Sequence, residues 1–346
     1  MSNNKEGKTW LNEISFMRPL LILFLVAYHA FAPYVGSWEK PDGIGNVELY
    51  RWIGLLSRAF RLEGFIFISG YIFTFQVIDQ QKFNRVSLLL KSKIERLLIP
   101  CFFFSALYLL SFKYYDSSYE FIVKTIQGAG HLWYLTCLFW CFIIHYLILK
   151  NDKPRIVLPA LIITLMLSIS PLPLGLNRPL YYLFFFYAGG LFWKNSQKIA
   201  SYSTTNNIIL CWFLFAVQFV IVNVINSYIS EHYSVNAGLI NRACLLETQT
   251  VLKAILACSG ILALYLSAVQ YCHDHRISDF VIKVGTCGYG VYVFHQFILV
   301  YLYRYTGMPA LAGTYLLPWC ALIITVAVSV TLTLLVRKTK IGRKFL

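Results

Sequence analysis

Arg18 and His29 stand eleven residues apart at the two ends of the apolar run Met17–Ala30. Wound as a helix, the run rises about 1.5 Å per residue, which separates the two side chains by roughly 16 Å along the axis. That spacing puts Arg18 at one membrane interface and His29 beyond mid-depth toward the other. A titratable imidazole inside a bilayer is costly, so His29 is a candidate functional residue. An imidazole titrates ordinarily near pH ~6.5, so its neutral form is available as a base. In that form it can take the proton of a hydroxyl whose oxygen attacks an acyl carbon. The competing reading is a histidine that hydrogen-bonds a neighbouring helix and serves packing.

Four further constellations carry chemistry. Arg58, Arg61 and Glu63 open the second apolar run. At i and i+3 the two arginines share a helical face, at the depth of His29 in an antiparallel neighbour. They suit an anionic acceptor, and Glu63 could orient His29 by accepting its second ring proton; the alternative is interfacial anchoring. Lys93 and Arg96 lie in Leu90-Lys-Ser-Lys-Ile-Glu-Arg-Leu-Leu-Ile-Pro100, near the end of the bundle that holds Arg18. Arg presents fork-like donors to phosphate and Lys a point charge, which together make a phosphate clamp; the alternative is solvated interfacial charge. His131 and Trp133, in Gly130-His-Leu-Trp-Tyr-Leu135, fall at the mouth of the fourth run, where aromatic residues form interfacial belts and also suit sugar rings. His295 ends Gly288-Tyr-Gly-Val-Tyr-Val-Phe-His295, with packing as its leading reading. His273-Asp274-His275 has two metal-ligand types but no further ligand nearby, so no metal site is expected.

These residues need a membrane scaffold. Of 346 residues, 58% are hydrophobic and only 13% charged, against about 25% charged in soluble globular chains. A spanning helix needs about 20 mostly apolar residues, and ten stretches qualify: near 17–36, 55–78, 95–112, 132–149, 155–171, 179–194, 208–229, 250–271, 284–303 and 314–336. Pro-Leu-Pro-Leu-Gly at 171–175 is the one break between the fifth and sixth. A short interfacial helix is expected near 115–128. The first run has no small-residue cleavage site after it and reads as a retained helix.

The formal charge of +15 does not point to nucleic acid, because the basic residues gather in alternate short loops. With the N-terminus inside, the inner loops and ends hold Lys5, Lys8, Arg18, the 82–96 segment, Lys150, Lys153, Arg155, Lys194, Lys198, Arg276, Lys283 and the 337–344 tail. Together these are twenty of the thirty Lys and Arg, the positive-inside asymmetry. An even number of spans then leaves both termini cytoplasmic. The nine cysteines are scattered through apolar runs with no Cys-x-x-Cys, which gives neither a zinc site nor a disulfide framework. The expectation is an all-α membrane protein: one bundle of about ten helices, a single domain over 1–346, and no separate soluble domain.

In this order and at these spacings, the five stretches resemble the acyltransferase-3 family of integral membrane acyltransferases, essentially end to end. Arg18 to His29 is similar to its Arg-x10-His signature, and Phe65-Ile-Phe-Ile-Ser-Gly-Tyr71 to its second-helix stretch. Lys93-Ile-Glu-Arg96-Leu-Leu-Ile-Pro resembles its third-helix basic motif. His131-Leu-Trp-Tyr-Leu and Tyr289-Gly-Val-Tyr-Val-Phe-His295 resemble later stretches. Lys93 stands where Arg is common, Pro19 where Gly is common, and Glu63 where an apolar residue or Pro is common.

The resemblance implies a membrane-bound O-acyltransferase of the cytoplasmic (inner) membrane. It would move an acyl group, usually acetyl, from acyl-CoA to a hydroxyl of a cell-surface or membrane-associated glycan. Acetyl-CoA would be a co-substrate, with no tightly bound cofactor. The partners would be the bilayer, the glycan acceptor and glycan assembly machinery. Joined to the residue reading, Arg18, Lys93 and Arg96 hold the donor phosphates and His29 is the base, with Glu63 beside it. Arg58, Arg61, His131 and Trp133 meet the acceptor. Ser, Tyr and unwound backbone are each compatible as oxyanion donor, and direct transfer and an acyl-His intermediate are both compatible with the sequence. The alternative class is a transporter or exporter of a polysaccharide or lipid-linked sugar, although the paired broken helices of many transporters are not evident.

Overall fold

A computed structural model describes residues 12–150, 153–233 and 239–345. Among these the chain is helical, with no strand. Helix α1 (Asn12–Ala30) carries both Arg18 and His29. A short α2 (Ala32–Val35) ends at Gly36 in left-handed conformation. Then follow α3 (Glu48–Arg58), α4 (Arg61–Ile78) and α5 (Val86–Lys93), a π-helical turn (Ile94–Leu98), and α6 (Ile99–Phe112). The expected interfacial segment forms α7 (Ser118–Gln127), whose N-cap Ser117 accepts from the Glu120 amide. Next come α8 (Trp133–Lys150), α9 (Pro154–Leu167) and, after a 3-10 turn over Pro173–Gly175, α10 (Asn177–Lys194). The remainder is α11 (Ser196–Ala200), α12 (Thr205–Tyr233), α13 (Leu239–Asp274), α14 (Asp279–Thr286), α15 (Gly288–Arg304), α16 (Met308–Val336) and α17 (Lys340–Phe345).

Seven of the described helical segments are long and apolar enough to cross a membrane: 12–30, 48–78, 86–112, 133–150, 205–229, 244–274 and 308–336. The other three expected spans are helices too. Two of them, α9 with 14 residues and α15 with 17, are short; α10 starts Asn-Arg-Pro and carries three tyrosines, which lower its hydropathy.

Two local features set the site. The expected continuous second span is broken at Ala59–Phe60, so α3 and α4 are separate helices. Pro100 has no amide hydrogen to donate to the Arg96 carbonyl four residues back. That carbonyl accepts instead from the Tyr289 hydroxyl at 3.0 Å, and the chain passes Arg96 through the π turn, a device frequent at functional sites. Close packing holds α4 on α10. A Cβ on Gly70 would run into the Phe186 carbonyl oxygen, and one on Gly189 into that of Phe67. These small residues let the backbones touch, as in membrane helix pairs generally.

Candidate active site

Two cavities meet inside the bundle. The larger, about 870 Å³, is lined by Tyr28 and His29 of α1, the 38–42 loop, Arg61, Tyr108, the 127–131 turn, Trp133, Arg178, and Gln296, Tyr303 and Arg304 of α15. The smaller, about 500 Å³, is lined by Arg18, Lys93, Arg96, Arg343, Thr286, Tyr289 and apolar residues of α4 and α8. Leu62, Tyr134 and Tyr292 line both. Along α1 and α15 the chain runs from the smaller cavity to the larger, as it does from the π turn into α6, so the two lie toward opposite ends of the bundle.

The smaller cavity gathers Arg18, Lys93 and Arg96 as the sequence implies, and adds Arg343, which sequence reading assigned only to a basic tail. Lys93 Nζ lies 3.4 Å from the centroid of Phe142, with Phe73 and Phe83 at 5.4 and 5.7 Å. This aromatic cage holds the ammonium by cation–π attraction.

In the larger cavity His29 is 8% exposed. Its ring is 5.7 Å from that of Trp38 and 5.0 Å from that of His295, centroid to centroid. Arg61 is buried, with its guanidinium 3.7 Å from the Tyr28 ring centroid. Its Nε has no hydrogen-bond partner among the described residues. Positive φ at Gly128 and Gly130 folds the turn that carries His131 inward, a conformation glycine adopts at no steric cost. His131 Nε2 lies 3.0 Å from the Val293 carbonyl and Nδ1 3.1 Å from Gln296. Trp133 stacks beneath Arg178, 4.6 Å from its ring centroid.

Two expectations fail on geometry. Glu63 does not hydrogen-bond His29. Its Oε1 accepts from Tyr181 at 3.2 Å and pairs with Lys253 at 3.3 Å, because it points into the α10–α13 side of α4. The side-chain partner of His29 is Gln296, whose amide nitrogen lies 3.2 and 3.3 Å from the two ring nitrogens. Arg58 and Arg61 do not share a face, because the break at 59–60 separates them. Arg58 lines a different cavity of about 510 Å³ with Arg51, Asn223 and Lys253. His295 is fully buried, and its Nδ1 donates to the Val291 and Tyr292 carbonyls within its own helix; it does not line the cavity. His273 hydrogen-bonds its neighbour Asp274.

Sequence reading missed Gln296, Tyr134, Tyr292 and Arg178. An intramembrane glutamine directly after His295 was the available signal for the first. The tyrosines blend into a chain that is 17% aromatic.

The fold is a helical bundle with several helices apolar enough to cross a membrane, and its two cavities share Leu62, Tyr134 and Tyr292 in their linings. A family model described as an acyltransferase domain matches residues 11–338. The chain belongs to the acyltransferase-3 family and is a multi-pass membrane acyltransferase. Comparison with curated proteins and with solved structures gave no match.

Proposed function

We propose that this acyltransferase takes an acyl group, most simply acetyl, from cytoplasmic acyl-CoA and passes it to a hydroxyl of a glycan on or crossing the cytoplasmic membrane. The observation that carries this reading is the meeting of a cation-lined cavity with a histidine-lined one at Leu62, Tyr134 and Tyr292. Arg18, Lys93, Arg96 and Arg343 suit the phosphates of the donor. Its pantetheine arm would run beside α1, bringing the thioester to the junction. The acceptor would enter the other cavity, where Trp133, His131 and Arg61 offer an aromatic face and polar groups. His29 takes the hydroxyl proton as the oxygen bonds the acyl carbon. The carbon–sulfur bond breaks, and the imidazolium returns the proton to the departing thiolate. Glu63 then belongs to the structural ion pair that supports α4, not to proton transfer.

The same reading places 1–346 as one domain of ten spans with both termini cytoplasmic, so that the Lys/Arg-rich cavity faces the donor. It needs no tightly bound cofactor, and glycan assembly machinery is the natural neighbour. Family membership supports acyl transfer over a transporter. The test is purified protein in nanodiscs with acetyl-CoA labelled in the acetyl group and a panel of cell-surface glycans. Label is expected on a glycan hydroxyl. Glycan movement across the membrane with no label transferred, from this or other acyl-CoA donors, would overturn it.

A further inference from the structure

Between His131 and His29 lies one carboxamide, that of Gln296, and its orientation is determined by what stands behind His131. The Val293 carbonyl can only accept, so His131 Nε2, 3.0 Å away, must carry a proton. A neutral imidazole has one N–H and one bare nitrogen. His131 is buried and has no ion-pair or hydrogen-bond contact with a carboxylate among the described residues, so a second, charging proton would be a buried uncompensated cation. Its Nδ1 is therefore bare and needs a donor. The only side chain hydrogen-bonded to Nδ1 among the described residues is Gln296, at 3.1 Å. As placed, the amide oxygen faces His131 and the nitrogen faces His29. A half-turn of the carboxamide exchanges the two without moving any other group.

We propose that Gln296 is a positioning residue for His29: its NH2 donates to His131 Nδ1, and its oxygen accepts the one N–H of His29, leaving the other His29 nitrogen bare to act as base. The proposal rests on the reading of His29 as that base. Both His29 nitrogens lie within reach, at 3.2 and 3.3 Å, so a small ring rotation selects which one is held. Either selection leaves the opposite lone pair unengaged. The reaction itself favours the same orientation. Once His29 has taken the acceptor's proton, both of its nitrogens carry hydrogen, and only an oxygen can accept from them. An amide NH2 in that place would face an N–H of an imidazolium. The chain of donors thus runs from His29 through Gln296 and His131 to the backbone of α15, which is also the helix that carries Gln296. His29 is in this way tied to a rigid element on the far side of the cavity.

The test uses the full chain in nanodiscs with nitrogen-15 histidine, in which protonated and bare ring nitrogens resonate apart. His29→Gln and His131→Gln assign the signals. The expected wild-type spectrum has His131 neutral with its proton on Nε2, and His29 neutral in a single tautomer. Gln296→Met, which keeps length but not hydrogen bonding, should release His29 into a mixture of tautomers. It should also lower kcat about 10²-fold with the KM for acyl-CoA unchanged. Gln296→Glu should retain far more activity than Gln296→Met, because one carboxyl oxygen still accepts from His29 and a proton held between the other oxygen and His131 Nδ1 replaces the amide donor. A wild-type spectrum with the His131 proton on Nδ1 would overturn the proposal even if a variant failed to fold. Near-normal kcat in Gln296→Met, or a Gln296→Glu variant that is folded and as slow as Gln296→Met, would overturn it as well. If His29→Gln keeps normal turnover, the base assignment falls, whereas the wild-type spectrum still decides the amide's orientation.

Discussion

Tyr134 and Tyr292 stand 5.5 Å apart, ring centroid to centroid, where the two cavities join. Tyr292 donates its hydroxyl to the His131 carbonyl at 2.5 Å, so the residue that narrows the junction also holds the turn beside His29. Among the described residues, these two tyrosines and Leu62 are the ones that line both cavities.

His29→Gln should abolish acyl transfer while the protein stays folded and binds acyl-CoA, because losing a general base typically costs about 10²–10⁴-fold. His295→Gln, made in parallel, should be the milder change for chemistry, since His295 lies outside both cavities and bonds its own helix. The measurement is acylated product per hour at matched expression. Near-normal turnover in His29→Gln with a dead His295→Gln would move the site to α15.

Donor affinity should depend on the basic cavity. Arg96→Ala and Arg18→Ala are each expected to weaken acyl-CoA binding by about tenfold or more, the loss of one hydrogen bond to a charged group. Added salt should weaken the wild type less than it would an open surface site, because the cavity is partly enclosed. Calorimetry showing unchanged affinity in Arg18→Ala, Lys93→Ala and Arg96→Ala alike would remove the phosphate clamp.

Glu63 is 1% exposed and Lys253 is 41% exposed on their side chains. Lys253→Met should strand a buried carboxylate and destabilise the protein, at or below the low end of the ~3–5 kcal/mol lost when one partner of a buried pair is removed. Glu63→Gln should restore stability in the Lys253→Met background. Thermal unfolding in detergent reads both. A Glu63→Gln protein that is as stable as wild type but catalytically dead would instead tie Glu63 to proton transfer.

Gly189→Ala should cost about 1–3 kcal/mol as overpacking, since its Cβ would meet the Phe67 backbone oxygen. Gly307→Ala is the control: nothing lies within 4 Å of that Cβ. Equal melting temperatures for the two variants would mean that α4 and α10 are not in the backbone contact described.

The sequence by itself determined the membrane class, the family and where most helical segments run. Apolar runs and basic loops are local features, and a helix in lipid must satisfy its own backbone; for the same reason Arg18 and His29 could be placed about half of a membrane apart from one helix alone. Lys93 and Arg96 could be joined to Arg18 because positive charge gathers at one end of each run. The tertiary structure decided what each side chain faces. A break of two residues, Ala59 and Phe60, turned Arg58 away from Arg61. The rotation of α4 about its axis gave Glu63 to Lys253 and left His29 to Gln296, 267 residues along the chain. Periodicity gives the depth of a residue in a bundle, but the azimuth of one helix against the next is set by packing, here by glycines such as Gly70 and Gly189 against backbone. No single segment contains that information, so the partner of the histidine appears only in the assembled bundle.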